Sequence, residues 1–261
     1  MPGDARPEKK LALIVEYDGT AYKGFQYQTD APTIQHELEK ALKQLTGEGI
    51  RIRGASRTDS GVHAKGQAVD FLTHACFEER TWVKALNYHL PWDIKVKSAY
   101  PVPLDFHARR DATARTYRYT ILNSKTPSPL MRRQSAWIEK TLDSKAMAKA
   151  AEYLIGLHDL SAFAGSMPPN KTSIRQVKRW DVWKENDLVL IEAEANGFLP
   201  HQILRTNGIL VDIGKSKSPI STIRDMLKGS VIKTKGTSVL PSKGLCLVRI
   251  DYLSSSTEGC R

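Results

Sequence analysis

The alternation of apolar and polar positions divides the chain into two stretches that repeat one order of elements. Residues 11–17 form an apolar, β-rich run closed by Asp18-Gly19, which predicts a strand entering a turn. Over residues 33–45, Ile34, Leu38, Ala41, Leu42 and Leu45 fall on one helical face, and Thr33 stands where an N-cap belongs. Residues 50–54 alternate apolar with basic and predict a strand. A loop follows over 55–66, then a strand over 67–72. A short helix over 82–88 carries Trp82, Ala85 and Leu86 on one side. Residues 94–100 alternate again and stop at Pro101.

The same order then returns. Residues 115–122 predict a strand with Tyr117, Tyr119 and Ile121 on one face. Residues 144–155 predict a helix with Met147, Ala150, Ala151 and Leu154 inward. Residues 175–183 and 188–195 form a hairpin around Glu185-Asn186-Asp187. Helices over 201–213 and 220–228 follow, and residues 245–253 close as a strand. The order β-α-β-β-α-β is the ferredoxin-like arrangement. The expected fold class is therefore α+β, with two ferredoxin-like halves joined near residues 101–111. The duplication lies in element order, not in sequence identity. The expected domains are a polar, disordered lead-in over 1–10, a first half over 11–107 that carries the loop at 55–66, and a second half over 108–261.

Charge narrows the partners. Thirty-nine Lys and Arg against 28 Asp and Glu leave a net +11, an excess suited to a polyanion. The loops at 123–133 and 166–172, rich in Pro, Ser and Lys, are candidate RNA contacts or solvated connectors. Three cysteines at wide spacing, Cys76, Cys246 and Cys260, indicate neither a disulfide framework nor a zinc knuckle, and a reducing cytoplasm is the compartment that fits. No apolar run reaches the roughly 20 residues of a membrane helix, so no membrane partner is expected. His63 and His107 lack a third ligand at suitable spacing, and no metal site is expected.

One loop holds chemistry. In Arg57-Thr58-Asp59-Ser60-Gly61, an acid stands among small residues, and Gly61 permits a tight turn. Arg57, two residues earlier, is placed to keep Asp59 ionised. An ionised carboxylate in a pocket is a usable nucleophile. Taken alone, the segment reads first as an ordinary turn, with Asp59 bonding its own backbone.

The surrounding blocks bear on that choice. Glu16-Tyr17-Asp18-Gly19-Thr20 is followed by Tyr22, Gly24-Phe25-Gln26, Gln28 and Thr33-Ile34-Gln35. Then come Arg57-Thr58-Asp59-Ser60-Gly61-Val62-His63-Ala64 with Gly66-Gln67, Phe106-His107-Ala108-Arg109, and Ala114-Arg115-Thr116-Tyr117-Arg118-Tyr119. This ordered set resembles the TruA family of tRNA pseudouridine synthases from about residue 11 to about residue 252. The resemblance implies a pseudouridine synthase fold with a mainly antiparallel sheet, Asp59 as the catalytic aspartate and Tyr117 as the ring that stacks on the target uracil. It also implies that Arg57 contacts RNA. Neither metal nor organic cofactor is implied. The implied substrate is uridine at tRNA positions 38, 39 and 40, and the implied assembly is a homodimer.

One segment departs from the family. In Asn196-Gly197-Phe198-Leu199-Pro200-His201-Gln202-Ile203-Leu204-Arg205, the position where the family places arginine holds Leu204. Arg205 comes one residue later, about 100° further round a helix, and is carried as a substrate-binding candidate. Weaker candidates for RNA binding are Arg109, Arg110, Arg115, Lys171 and Arg175, with Arg118, Lys178 and Arg179 in the same basic groups. Two other readings compete. A non-catalytic tRNA-binding protein would use aromatic strands as platforms. A haloacid-dehalogenase-like phosphatase would use a strand ending in Asp18-Gly19-Thr20, although Glu16 stands at its nucleophile position.

Overall fold

The computed structural model describes residues 7–166, 171–229 and 239–253. Residues 1–6 of the expected lead-in, 167–170 of the loop at 166–172, and Cys260 lie outside them. In chain order the first elements are β1 (Lys9–Tyr17), α1 (Ile34–Thr46), β2 (Arg53–Gly54), β3 (His63–Thr73), α2 (Glu79–His89) and β4 (Ile94–Val102). They are followed by β5 (Ala112–Leu122), β6 (Ala136–Trp137), α3 (Ser144–Ala151), β7 (Gly156–Asp159) and β8 (Ile174–Glu185). The last are β9 (Leu188–Ala195), α4 (Gln202–Gly214), α5 (Thr222–Leu227) and β10 (Leu245–Tyr252). The chain forms two compact units, Met1–Thr113 with Leu247–Arg261, and Ala114–Cys246.

In the first unit the strands run in the order β4-β1-β3-β10, with the short β2 also on β3. β1 is antiparallel to both β3 and β4. With α1 after β1 and α2 after β3, this is the ferredoxin-like arrangement. Thr33 caps α1 by accepting the His36 N–H, and Gly47 ends it in the left-handed region with its N–H on the Lys43 carbonyl. Ile34, Leu38, Ala41 and Leu42 are buried on its inner face. Trp82 of α2 is buried against Phe71 of β3, ring centroids 5.7 Å apart.

Three expectations need correction in this unit. The lead-in ends earlier than residue 10, because Lys9 and Lys10 already pair with Thr73 and Leu72 in the ladder. β4 does not stop at Pro101 but runs through it to Val102. It is the outer strand of this unit's order, and an outer strand tolerates a residue with no N–H to donate. The division also falls at 113/114, not 107/108, and most of β10 belongs to the first unit, not the second. There it lies beside β3, so close that a Cβ on Gly66 would come within 2.5 Å of the Val248 carbonyl oxygen.

The second unit has the order β5-β9-β8-β7, with antiparallel pairs throughout that path and the two-residue β6 parallel to β5. α3 follows β5 and α4 follows β9, so the element order repeats that of the first unit. β8 and β9 join through Asn186 and Asp187, and Asn186 takes the positive φ of 52° that a tight hairpin demands. The helix expected over 144–155 ends at Ala151. A 3₁₀ turn over Glu152–Leu154 follows, then β7, a strand the apolar pattern did not mark. α4 is buried on nearly all sides and forms the centre of this unit's core. Among the described residues no helix is long and apolar enough to cross a membrane.

Candidate active site

Asp59 sits in a tight turn between β2 and β3. The Val62 N–H returns to the Asp59 carbonyl at 3.1 Å, and Gly61 takes a φ of 77° at the third position of the turn. The turn is seated on a segment more than thirty residues earlier in the chain. The Phe25 N–H donates to the Thr58 carbonyl at 3.0 Å. The Gly61 N–H and the Ser60 hydroxyl both donate to the Tyr22 carbonyl, at 3.3 and 3.2 Å. Asp59 is thus flanked on both sides by anchored backbone, with its side chain half-buried and Arg57 exposed.

Two glycines make that seat possible. A Cβ on Gly24, whose φ is 99°, would lie 2.8 Å from the Thr58 carbonyl oxygen. A Cβ on Gly19 would lie 2.0 Å from the Val62 carbonyl oxygen. Behind the loop, the wholly buried Gln67 amide accepts the Ser56 N–H at 3.1 Å and donates to the Ser56 carbonyl at 2.7 Å. Tyr17 and Thr58 share a hydroxyl hydrogen bond of 2.7 Å. His63 is buried, with Nδ1 3.1 Å from the Gly19 nitrogen and 3.1 Å from Asp18 Oδ1. Nδ1 accepts the Gly19 N–H. Asp18 itself accepts from the Thr20 N–H and hydroxyl, capping a 3₁₀ turn. The Asp18-Gly19-Thr20 segment is therefore a turn cap, which answers the phosphatase reading.

A second anchor lies in the same unit. Asp70 of β3 is wholly buried. Its Oδ2 receives Arg53 Nε at 3.0 Å and Nη2 as well, and its Oδ1 receives the Ala108 N–H at 2.9 Å. The Tyr252 hydroxyl donates to the Ala108 carbonyl at 2.8 Å. Arg109 follows directly. Its charged form is disfavoured first by partial burial and then by the positive charge of Arg57. Arg57 and Arg109 are therefore close enough to repel. Arg110 is exposed beside them. Asp70, Gln67 and Gly24 did not stand out in the sequence as functional residues. The signal for Asp70 was an acid inside the apolar run Ala68-Val69-Asp70-Phe71.

The remaining candidates belong to the second unit. Tyr117 is 6% exposed, and its ring meets Phe198 edge-on at 5.4 Å. Phe198 in turn lies against Trp180 at 6.2 Å. Arg115 is buried and donates to the Asn196 carbonyl at 2.7 Å. Arg175 donates to the Thr172 and Ile174 carbonyls, and burial disfavours its charged form. Lys171 is exposed. In α4, Leu204 is buried and points its bulk inward, whereas Arg205 is half-buried, with Nε buried and no hydrogen-bond acceptor among the described residues.

Three members of the expected basic groups prove to be committed elsewhere. Register places Arg118 opposite Glu192 and Arg179 opposite Glu194. Glu192 receives Arg118 at 2.7 Å and Arg179 at 2.7 Å, and Lys178 stands 3.4 Å from Glu194. Cross-strand pairing of opposite charges accounts for these three residues within the sheet.

A sequence profile described as tRNA pseudouridine synthase matches residues 13–111 and 150–253. Relatives of high similarity include the tRNA pseudouridine synthase A of Acetivibrio thermocellus, 39% identical over 94% of this chain and 100% of that protein. That of Thermoanaerobacter pseudethanolicus is 42% identical over 94% and 100%. That of Buchnera aphidicola subsp. Baizongia pistaciae is 38% identical over 94% and 92%. The chain belongs to the tRNA pseudouridine synthase family. The family's reaction is an isomerisation that turns uridine into pseudouridine within tRNA.

Proposed function

We propose that this chain isomerises uridines at positions 38, 39 and 40 of the tRNA anticodon arm, with Asp59 as its catalytic carboxylate. The observation that carries the assignment is the seating of the Asp59 turn on Tyr22, Gly24 and Phe25, which fixes one acid on an anchored backbone. Preorganised placement of this kind is what a reacting carboxylate requires. The reaction breaks the bond between uracil N1 and ribose C1′, turns the base and joins its C5 to C1′, and the proton lost from C5 is balanced by one gained at N1. An ionised Asp59 begins this either by attacking C1′ or by taking a ribose proton.

A uridine in a stem must first leave its stack, at a cost of a few kcal/mol. Stacking on Tyr117 returns about 1–3 kcal/mol. Arg57 contacts the RNA beside the extruded base. Arg205, whose buried Nε lacks an acceptor among the described residues, supplies the basic group for which Leu204 leaves no provision. Arg109, Arg110, Lys171 and Arg175 bind the RNA backbone, whereas Arg115 is buried on the Asn196 carbonyl. The chemistry uses no metal and no organic cofactor. The working assembly is a homodimer in the cytoplasm, with the acid carried by the first unit and the aromatic ring by the second.

Asp59→Ala tests the assignment. Pseudouridine formation in an anticodon-arm transcript is lost while tRNA binding persists. A variant that still forms pseudouridine removes Asp59 from the chemistry. Wild-type protein that binds tRNA but forms no product would favour a non-catalytic tRNA-binding role.

A further inference from the structure

We propose that Asp70 is a positioning residue for RNA binding, fixing through its bond to Ala108 the backbone that carries Arg109. The inference rests on the reading of Arg109 as an RNA contact. Asp70 is a carboxylate with no exposed surface, and both of its oxygens are used. Arg53 balances its charge from one side. From the other, Asp70 spends an ionised acceptor on a single backbone N–H, that of Ala108. A charge-assisted bond of this kind is stronger than a neutral one and fixes the donor's direction.

Ala108 is gripped at both of its polar atoms, because Tyr252 donates to its carbonyl oxygen. Its methyl group and the Phe106 ring sit in a small core with Ala12, Ala55 and Ala68. On the exposed side the chain turns tightly. The His107 N–H donates to Asp111 Oδ2 at 2.8 Å, the Asp111 N–H returns to the His107 carbonyl, and the Arg109 N–H donates to His107 Nδ1 at 3.2 Å. A two-point clamp on Ala108 and a closed turn after it fix the backbone from which the exposed Arg109 side chain projects.

Arg57 stands close enough to disfavour the charge on Arg109. Like charges held together are relieved when a polyanion arrives, and a phosphate between two guanidinium groups gains from both. Asp70 acts on the far side of the backbone, where it cannot touch the RNA, and its influence passes through Ala108.

The test is a double-mutant cycle between Asp70→Ala and Arg109→Ala, read as KM, kcat and the dependence of tRNA affinity on salt. Arg109→Ala raises KM about tenfold and lowers the slope of log affinity against log salt by about one. Asp70→Ala does the same with little change in kcat, and the double variant loses no more than either single one. If Arg109→Ala binds tRNA like the wild type, the RNA-contact reading fails. If Arg109→Ala is weakened but a folded Asp70→Ala keeps the wild-type KM and slope, or the two effects add, the positioning role is overturned. Should Asp70→Ala fail to fold, Tyr252→Phe releases the other side of the clamp by removing one hydroxyl. It raises KM about threefold and shows the same non-additivity with Arg109→Ala; additive effects there overturn the proposal.

Discussion

Replacing Gly24 by alanine tests whether the seat of the Asp59 turn matters to catalysis. The added methyl group meets two obstacles. Gly24 has a φ of 99°, a conformation that L side chains rarely adopt, and its Cβ would lie 2.8 Å from the Thr58 carbonyl oxygen and 3.3 Å from the Asp59 carbonyl carbon. The left-handed backbone costs about 1–2 kcal/mol, and relieving the overlap costs about 1–3 kcal/mol. The sum is about 2–5 kcal/mol. Part of it appears as lost stability, and part as a turn pushed away from its place. A displacement of ~1 Å at a reacting group lowers the rate on the order of 100-fold. Gly47→Ala is the control, because Gly47 also has a positive φ, 77°, but nothing within 4 Å of its Cβ. It pays the backbone cost alone, about 1–2 kcal/mol, and keeps wild-type turnover. Urea unfolding measures the stabilities, and single-turnover pseudouridine formation measures the chemistry. If Gly24→Ala and Gly47→Ala agree in both, contact between the 22–25 segment and the turn does not hold Asp59 in place.

Gln67→Ala strips both polar atoms of the Ser56 backbone of a buried partner, and urea unfolding should register a loss of at least about 2 kcal/mol. Arg118→Gln leaves tRNA affinity and its salt slope unchanged, because Arg118 is already committed to Glu192; a weakened complex in a filter-binding titration would return Arg118 to the RNA track. The pH dependence has a definite sign. Burial, then Arg53 and Arg110, hold the His107 pKa below its ordinary value of 6.5 against an opposing pull from Asp70. The folded state thus prefers the neutral ring, whose Nδ1 accepts the Arg109 N–H. Its contribution to stability is complete above the unfolded value of about 6.5 and is lost as pH falls through the lowered folded value. His107→Gln should flatten the stability profile below pH ~6.5, and an unchanged profile contradicts the neutral-ring assignment.

The sequence made some of this visible and hid the rest for physical reasons. Thr33 at the start of α1 was legible because capping is local. The repeated element order was legible because period-2 and period-3.6 patterns survive without tertiary information. Pro101 misled because whether a proline ends a strand depends on which strand is outermost. Arg118, Lys178 and Arg179 looked available because charge counts ignore register, and only the pairing of β5, β8 and β9 puts Glu192 and Glu194 opposite them. Asp70 was overlooked because its two partners, Arg53 and Ala108, lie far from it along the chain. The aspartate at 59 stood out only through the blocks around it, and what holds it in place was spread over Tyr22, Gly24, Phe25 and Gln67.

That dispersal limits how the site can be moved or made. The turn from Thr58 to Val62 is half of an object whose other half is the stretch from Gly19 to Phe25. A graft of the five turn residues onto another scaffold would carry the carboxylate but not its bearings. A truncated chain that begins after Phe25 would keep the acid and lose the surface it rests on. During synthesis the seat leaves the ribosome before its occupant, so the site can assemble only once β3 has emerged to close the loop against the segment that preceded it.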